Sequence, residues 1–369
     1  MLADHFARLF FRTLTEEYIG IKVKIKIGKI LHDLLLSGLY RLYPMLTINN
    51  FPYDNNDMGK KIACFGSFIA ELTSRVDRLP KPGESLISDY FKLGAGGKGS
   101  NQAAAVKRAG GNIVFMAKIG NDLLSQIARD HYKREGFDPK YIVTDNDFPT
   151  GAAMISVDKN TGENSIIVIP GVSEHCTSAD IALFRNEIET CDIFLAQLEA
   201  NIDAVEKAVQ IAWENKKTIV INTAPARELP DDLLSKISIV IPNEIEASVI
   251  TKIEVIDKSS AEKAARVFHE KGIPIVIITL GRNGCYVSSG KYGEIIDAIP
   301  VQTIDTTGAG DAFIGGMVTA LSEDLPLTAA VRFATATAAL STTKPGTAVA
   351  MPFRSEIDEL VKKIYGKLS

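Results

Sequence analysis

The residues best placed for chemistry lie between Thr303 and Met317, in the stretch TIDTTGAGDAFIGGM. A β-like approach, VQTID, runs into a glycine-rich turn, then an acid, then the apolar helical run AFIGGMVTALSE. Gly308 and Gly310 carry no side chain at points where a backbone must lie close to a ligand. A helix opening at about Gly308 would leave its first N–H groups without intrahelical partners. Those donors, with the positive end of the helix dipole, form an anion site. Asp311 falls inside that positive pocket, where a carboxylate competes with the anion the pocket invites. The placement makes sense for a base that takes the proton from a hydroxyl attacking a phosphate, so the expected chemistry is phosphoryl transfer. The plainer reading keeps Gly-Ala-Gly as a strand-to-helix turn and Asp311 as a first-turn charge that helps the dipole. A second glycine-rich stretch, far upstream, weighs against it.

That stretch is Gly94-Ala-Gly96-Gly97-Lys98-Gly99, running on as Ser100-Asn101-Gln102. It matches GxGxxG, and Asp122 follows at a plausible distance, so a dinucleotide-binding dehydrogenase has to be weighed. Such a fingerprint opens the first βαβ unit of its domain, whereas here KIACFGS and further strand-like segments come first. A lysine and an asparagine at a helix start suit hydroxyl or phosphate binding better than a bare pyrophosphate turn.

The remaining composition narrows the field. With 369 residues, 46% hydrophobic and 23% charged, the chain can form one large globular domain or two. A net charge of −4 without a basic cluster argues against a nucleic-acid surface. Cys64, Cys176, Cys191 and Cys285 are scattered with no CxxC, which reads as reduced intracellular thiols and a cytoplasmic protein. His5, His32, His131, His175 and His269 show no ligand spacing. No apolar run reaches transmembrane length, so no membrane partner is expected.

Residues 1–57 read differently from the rest. The mildly amphipathic LADHFARLFFRTL is followed by the alternating GIKVKIKIGKI, the apolar helical ILHDLLLSGLYRLYP and the turn-rich NNFPYDNND. A mitochondrial presequence is one reading, weakened by Asp4, Glu16 and Glu17, since such peptides are poor in acids. The favoured reading is an extension without a catalytic role, with Met58 opening the functional chain. VKIKIGK also reads as an edge strand whose lysines discourage pairing.

From Lys60 short Val/Ile-rich strands alternate with amphipathic helices. KIACFGS, NIVFMAKIG, DIFLAQL, TIVINTA, ISIVIPN and IPIVIITLG read as buried strands; NIDAVEKAVQIAWENK and SAEKAARVFHEKG read as helices between them. This pattern predicts a parallel sheet covered by helices on both faces. LISDYFKL and the hairpin GAAMISVD–KNTG–ENSIIVIP are half-polar and are assigned to a small β lid over about 71–95 and 149–171. Gly66, Gly120, Glu199, Asn222, Asn243, Gly281 and Asp305 fall at or past strand ends, where such folds bind ligands.

Together, GAGGKGSNQAAAVKRAG and DTTGAGDAFIGG resemble the two signatures of the ribokinase-like (phosphofructokinase B type) carbohydrate kinases, the first being close to the ribokinase branch. GSFIAEL, RLPKPGE, PTGAAMISVD, the LEA of QLEA, NTAPAREL, PNEIEA and ITLGRNG extend the resemblance from Lys60 to Pro352; residues 1–57 have no counterpart in it. The resemblance implies a three-layer α/β/α domain over 58–369, with a central, mostly parallel sheet and a β-sheet lid. It implies phosphorylation of D-ribose to D-ribose 5-phosphate by ATP, with Asp311 as base and Gly308, Ala309 and Gly310 as anion hole. Gly96, Gly97 and Asn101 would hold sugar hydroxyls, Lys98 would lie near sugar or phosphate, and Glu199 would bind sugar. Asn243 and Glu246 would position Mg2+ through water. Asn243, Thr279, Leu280, Gly281, Gly284, Gly310 and Thr335, with the PGTA turn around Gly346, would wrap the nucleotide. Asp305 and Thr307, with Ser341, Lys344, Gly346 and Ala350, would bind an activating K+. Lids pair between subunits in this branch, which implies a homodimer. Plainer roles stay open: Asp305 as a turn cap, Asn243 and Glu246 as a helix N-cap, Glu199 as a first-turn acid.

One position departs from the family pattern. After the first strand ribokinases offer an aspartate to the sugar, often with Asn or Met two residues before it, whereas this chain has Ile69 and Glu71. Glu71 keeps the charge on a longer arm, which puts sugar identity in question. An apolar Ile69 would disfavour a sugar lacking a hydroxyl, such as 2-deoxyribose, less strongly. Kinases for 2-deoxyribose, fructose or adenosine are therefore alternatives, as is a sugar- or nucleotide-binding protein without catalysis.

Overall fold

The computed structural model describes residues 59–366 except Gly162 and Lys291. The expected N-terminal extension, with its candidate strand and helix, lies outside the described residues. In chain order the strands are β1 (Ile62–Phe65), β2 (Ile69–Val76), β3 (Tyr90–Gly96), β4 (Ile113–Gly120), β5 (Ile142–Asp145), β6 (Gly151–Asp158), β7 (Asn164–Ile169), β8 (Ile193–Gln197), β9 (Thr218–Asn222), β10 (Ile239–Val240), β11 (Ile275–Thr279), β12 (Cys285–Ser289) and β13 (Tyr292–Ile296). The helices are α1 (Lys98–Arg108), α2 (Leu123–Glu135), α3 (Ser178–Thr190), α4 (Ile202–Glu214), α5 (Asp231–Leu234), α6 (Glu244–Thr251), α7 (Lys258–Glu270), α8 (Ala309–Ser322), α9 (Leu327–Ser341) and α10 (Arg354–Tyr365).

A nine-stranded sheet runs in the order β13-β12-β11-β10-β9-β8-β1-β4-β5. Its strands are parallel from β11 through β5, and β12 and β13 close one edge as an antiparallel hairpin. Period-two side-chain alternation explains the two helix layers. Ile62 and Cys64 of β1, and Ile193 and Leu195 of β8, join a core with α1, α8, α9 and α10. Ala63, Phe65, Phe194 and Ala196 point the other way, into a core with α3, α4 and α7. Gly66, Gly120, Glu199, Asn222 and Gly281 lie at or just past the carboxyl ends of β1, β4, β8, β9 and β11.

A separate four-stranded sheet, in the order β3-β2-β6-β7, is half-polar; β2, β3 and β6 are mostly buried or half-buried, and β7 is exposed along its whole length. The structure also departs from three expectations. The strand read as LISDYFKL begins at Tyr90 and continues through Gly94 to Gly96, so the expected glycine turn narrows to Gly97, the N-cap of α1 at a φ of 89°. The segment read as ISIVIPN contributes only Ile239 and Val240. VQTID forms no strand, and Asp305 therefore stands in a loop and not at a strand end.

Candidate active site

Gly308 is the N-cap of α8 and takes a left-handed φ of 78°, a conformation that costs glycine little and other residues more. The turn places Asp311 in the first helical turn, buried. The N–H of Ala309 is spent on Thr306 O at 3.2 Å; among the described residues those of Gly308 and Gly310 have no acceptor. A Cβ at Gly310 would meet no atom within 4 Å, so this part of the turn faces open space.

Both oxygens of Asp311 are held by α1. Asn101 Nδ2 donates to Oδ2 and Gln102 Nε2 to Oδ1, each at 2.9 Å. Gln102 Nε2 also reaches Asn222 Oδ1 at 3.0 Å, and Gln102 Oε1 accepts from Gln197 Nε2 at 2.7 Å. The ends of β8 and β9 thus orient Gln102, which orients the acid. Burial pushes the Asp311 carboxyl up, and the Lys98 ammonium with the two amides pulls it part of the way back. For Lys98, burial acts against the charge, but the Asp311, Glu199 and Glu246 carboxylates outweigh it and hold the ammonium above its ordinary value.

Glu199 accepts the N–H of Lys98 at 2.8 Å and a bond from the Ser67 hydroxyl, so it caps α1 and closes the end of β1. Asn243 and Glu246 form a reciprocal capping box on α6. Glu246 N donates to Asn243 Oδ1 at 2.8 Å, Asn243 N donates to Glu246 Oε2 at 3.0 Å, and Asn243 Nδ2 to Glu246 Oε1 at 2.9 Å. The plainer role of this pair therefore holds.

Glu71, on β2, lies across the face of β3, where a Cβ at Gly96 would overlap its carboxylate. Its two oxygens are each 3.0 Å from the hydroxyl of Thr347, whose PGTA turn the sequence reading gives to the nucleotide. Burial pushes this carboxyl up to about 7. Asp305 Oδ1 accepts Thr307 N and Oδ2 accepts Gly346 N, both at 2.9 Å, so the loop 342–350 is tied to the turn that opens α8. Burial works against the Asp305 charge, but these N–H groups outweigh it and hold the carboxyl below its usual range. Lys344 reaches away to Glu356 at 2.7 Å; Ser341 O accepts Lys344 N and Thr347 O accepts Ala350 N.

A cleft of about 520 Å³ opens beside the α8 turn. Thr279, Gly281, Gly284, Gly310 and Thr335 line it, while Asn243 and the buried Leu280 do not. The sequence reading missed its apolar floor, including Ile299, Val301 and Phe313, because these residues carry no motif of their own.

The pattern of the pfkB family carbohydrate kinases matches residues 59–354. The chain is 42% identical to the ribokinase of Haemophilus influenzae over 83% of this chain and 99% of that one. It is 30% identical to the deoxyribokinase of Salmonella typhi over 81% and 97%. The structure superposes on the Arabidopsis thaliana ribokinase complexed with ribose and ATP with a TM-score of 0.75 at 26% identity, covering 83% of this chain and 99% of that one.

Proposed function

This chain belongs to the pfkB family of carbohydrate kinases, and on that premise we propose that it is an ATP-dependent pentose kinase making D-ribose 5-phosphate from D-ribose. The observation that carries the mechanism is the buried Asp311, gripped by two amides beside the unpaired N–H groups of Gly308 and Gly310. Asp311 accepts the proton of the sugar hydroxyl as that oxygen attacks the γ-phosphorus. The bond from phosphorus to the bridging oxygen breaks, and its electron pair leaves on ADP. The Gly308 and Gly310 N–H groups receive charge developing on the phosphoryl oxygens. Glu71, Gly96, Gly97, Asn101, Lys98 and Glu199 surround the sugar, and the cleft between Thr279, Gly281, Gly284 and Thr335 takes the nucleotide.

A Mg2+ ion bound with ATP would neutralise charge at the phosphates. Asn243 and Glu246 fit it through water, because their inner oxygens are already committed to the capping box. Asp305, kept ionised, together with the carbonyls of the 341–350 loop, suits a monovalent K+ that fixes the turn. The four-stranded sheet acts as a lid that closes over the sugar and excludes water, and residues 58–369 form the kinase domain. Two copies pair through their lids. A cytoplasmic setting is supported by four free, buried cysteines.

A second reading, 2-deoxyribose kinase, is favoured by the buried, apolar Ile69 and by the deoxyribokinase similarity. The test is ADP release with Mg-ATP against ribose, 2-deoxyribose, fructose and adenosine, with and without K+, for the native chain and Asp311→Asn. Ribose turnover that needs K+ and falls on the order of 10³-fold in the variant is expected. Preference for 2-deoxyribose would transfer the assignment to the second reading. Sugar binding without ADP release would end the kinase reading.

A further inference from the structure

Thr347 sits in the loop between α9 and α10 and belongs to neither glycine-rich motif. It is buried, and its hydroxyl is 3.0 Å from Glu71 Oε1, 3.0 Å from Glu71 Oε2 and 3.0 Å from Ala95 O. One loop residue thus contacts both β2, which carries the sugar-side acid, and its neighbour β3. The bare backbone of Gly96 forms the seat on which the carboxylate rests. A glutamate has one more rotatable bond than an aspartate and loses more conformational freedom when fixed. A bidentate acceptor for two sugar hydroxyls tolerates little misplacement, so a glutamate here needs an external anchor.

We propose that Thr347 is a positioning residue for the sugar site, its hydroxyl clamping the long Glu71 side chain onto Gly96 so that both carboxylate oxygens face the sugar. This rests on the reading of the chain as a ribose kinase. The clamp is continuous with the phosphoryl side of the site: Gly346, next to Thr347, donates to Asp305, which accepts from Thr307 at the entrance to the α8 turn. The charged groups facing Glu71 are Lys92 from β3, Asp311 from α8 and Asp305 from the turn. They set its charge but not its direction. Thr347 has one hydrogen for three acceptors, so an ionised Glu71 keeps free lone pairs for a sugar's two hydroxyls.

Thr347→Val keeps the shape and removes the O–H. It is expected to raise KM for ribose about tenfold and to leave kcat within about twofold. Thr347→Ser is expected to restore KM to within about twofold, and Thr347→Ala replaces the valine variant if that fails to fold. In a Glu71→Asp background, where the shorter acid does not reach the hydroxyl, Thr347→Val is expected to change KM less than about twofold. An equal loss in both backgrounds, or a loss confined to kcat, overturns the clamp. Crystal structures of the sugar-free native protein and the valine variant read it without turnover. The Glu71 carboxylate is expected to leave Gly96 in the variant, and an unmoved side chain refutes the proposal. A native protein that does not phosphorylate ribose would sink the functional reading alone, and the two crystal structures would still decide the clamp.

Discussion

Glu71 is the group expected to set the acid limb of the site's pH dependence. Burial raises its carboxyl to about 7, the Thr347 hydroxyl opposes that rise, Asp311 adds to it and Lys92 opposes it. An acid that must accept sugar hydroxyls works ionised, and a raised value means that the ionised form is lost as pH falls through about 7. The ratio kcat/KM for ribose is therefore expected to drop on the order of tenfold between about pH 8 and about pH 6. An acid limb near the ordinary carboxylate range would show that Glu71 is not the group. Gly96→Ala is a second expectation at this scale. The added Cβ overlaps the seated carboxylate, so KM for ribose should rise about tenfold with the fold intact, as read by circular dichroism. The charge at position 71 and the bare backbone at 96 were legible in the sequence. Their contact with Thr347 was not, because it spans two sheets and a loop, and a lone Thr in KPGTAVA has no spacing that marks it.

At the scale of elements, the two helices that meet at Asp311 were the most legible parts of the chain. Glycines 94, 96, 97, 99, 308 and 310 punctuate them, and polar residues gather at their starts. Less legible was how α1 holds the acid. Asn101 was chosen for sugar, yet its amide and that of Gln102 both point at Asp311. Gln102→Leu would strip one donor from Asp311 and leave Asn222 Oδ1 and Gln197 Nε2 short of a buried partner. Unfolding free energy is expected to fall by about 3 kcal/mol in urea titration, and kcat on the order of tenfold as the acid loses its orientation. A variant with native kcat would assign Gln102 to packing alone. The failed strand VQTID has an equally physical cause. Its alternation resembles a strand, but the N–H groups of Ile304 and Asp305 both bond Thr342 O, at 2.8 and 3.1 Å, so no ladder can form. In β2, IAELTSRV mixes polar and apolar residues too evenly for a buried strand, and only its pairing with β3 and β6 reveals it.

For the whole molecule, the three-layer α/β architecture followed from strand and helix alternation, and the small sheet leaves an apolar surface free. Its register aligns Leu93, Leu72, Met154 and Ile167 in one row across all four strands. Leu93 is 48% exposed, Met154 48% and Ile167 57%. On the opposite face of β7, Ile166 and Val168 are also exposed. An edge strand reading Ile-Ile-Val-Ile without a charge is an open template for another chain, and a monomer would ordinarily protect it. Pairing of two lids through β7 would cover these residues and steady the sheet that carries Glu71. The native chain is therefore expected to run as a dimer in size-exclusion chromatography with light scattering at micromolar concentration. Ile167→Lys combined with Val168→Lys places a charge on each face of the edge and is expected to give a monomer. Because the lid then loses its partner while Asp311 and the α8 turn are untouched, KM for ribose should rise more than kcat falls. A native monomer, or a charged variant that stays dimeric, would move the interface away from this sheet and leave its apolar rows to serve only closure over the sugar.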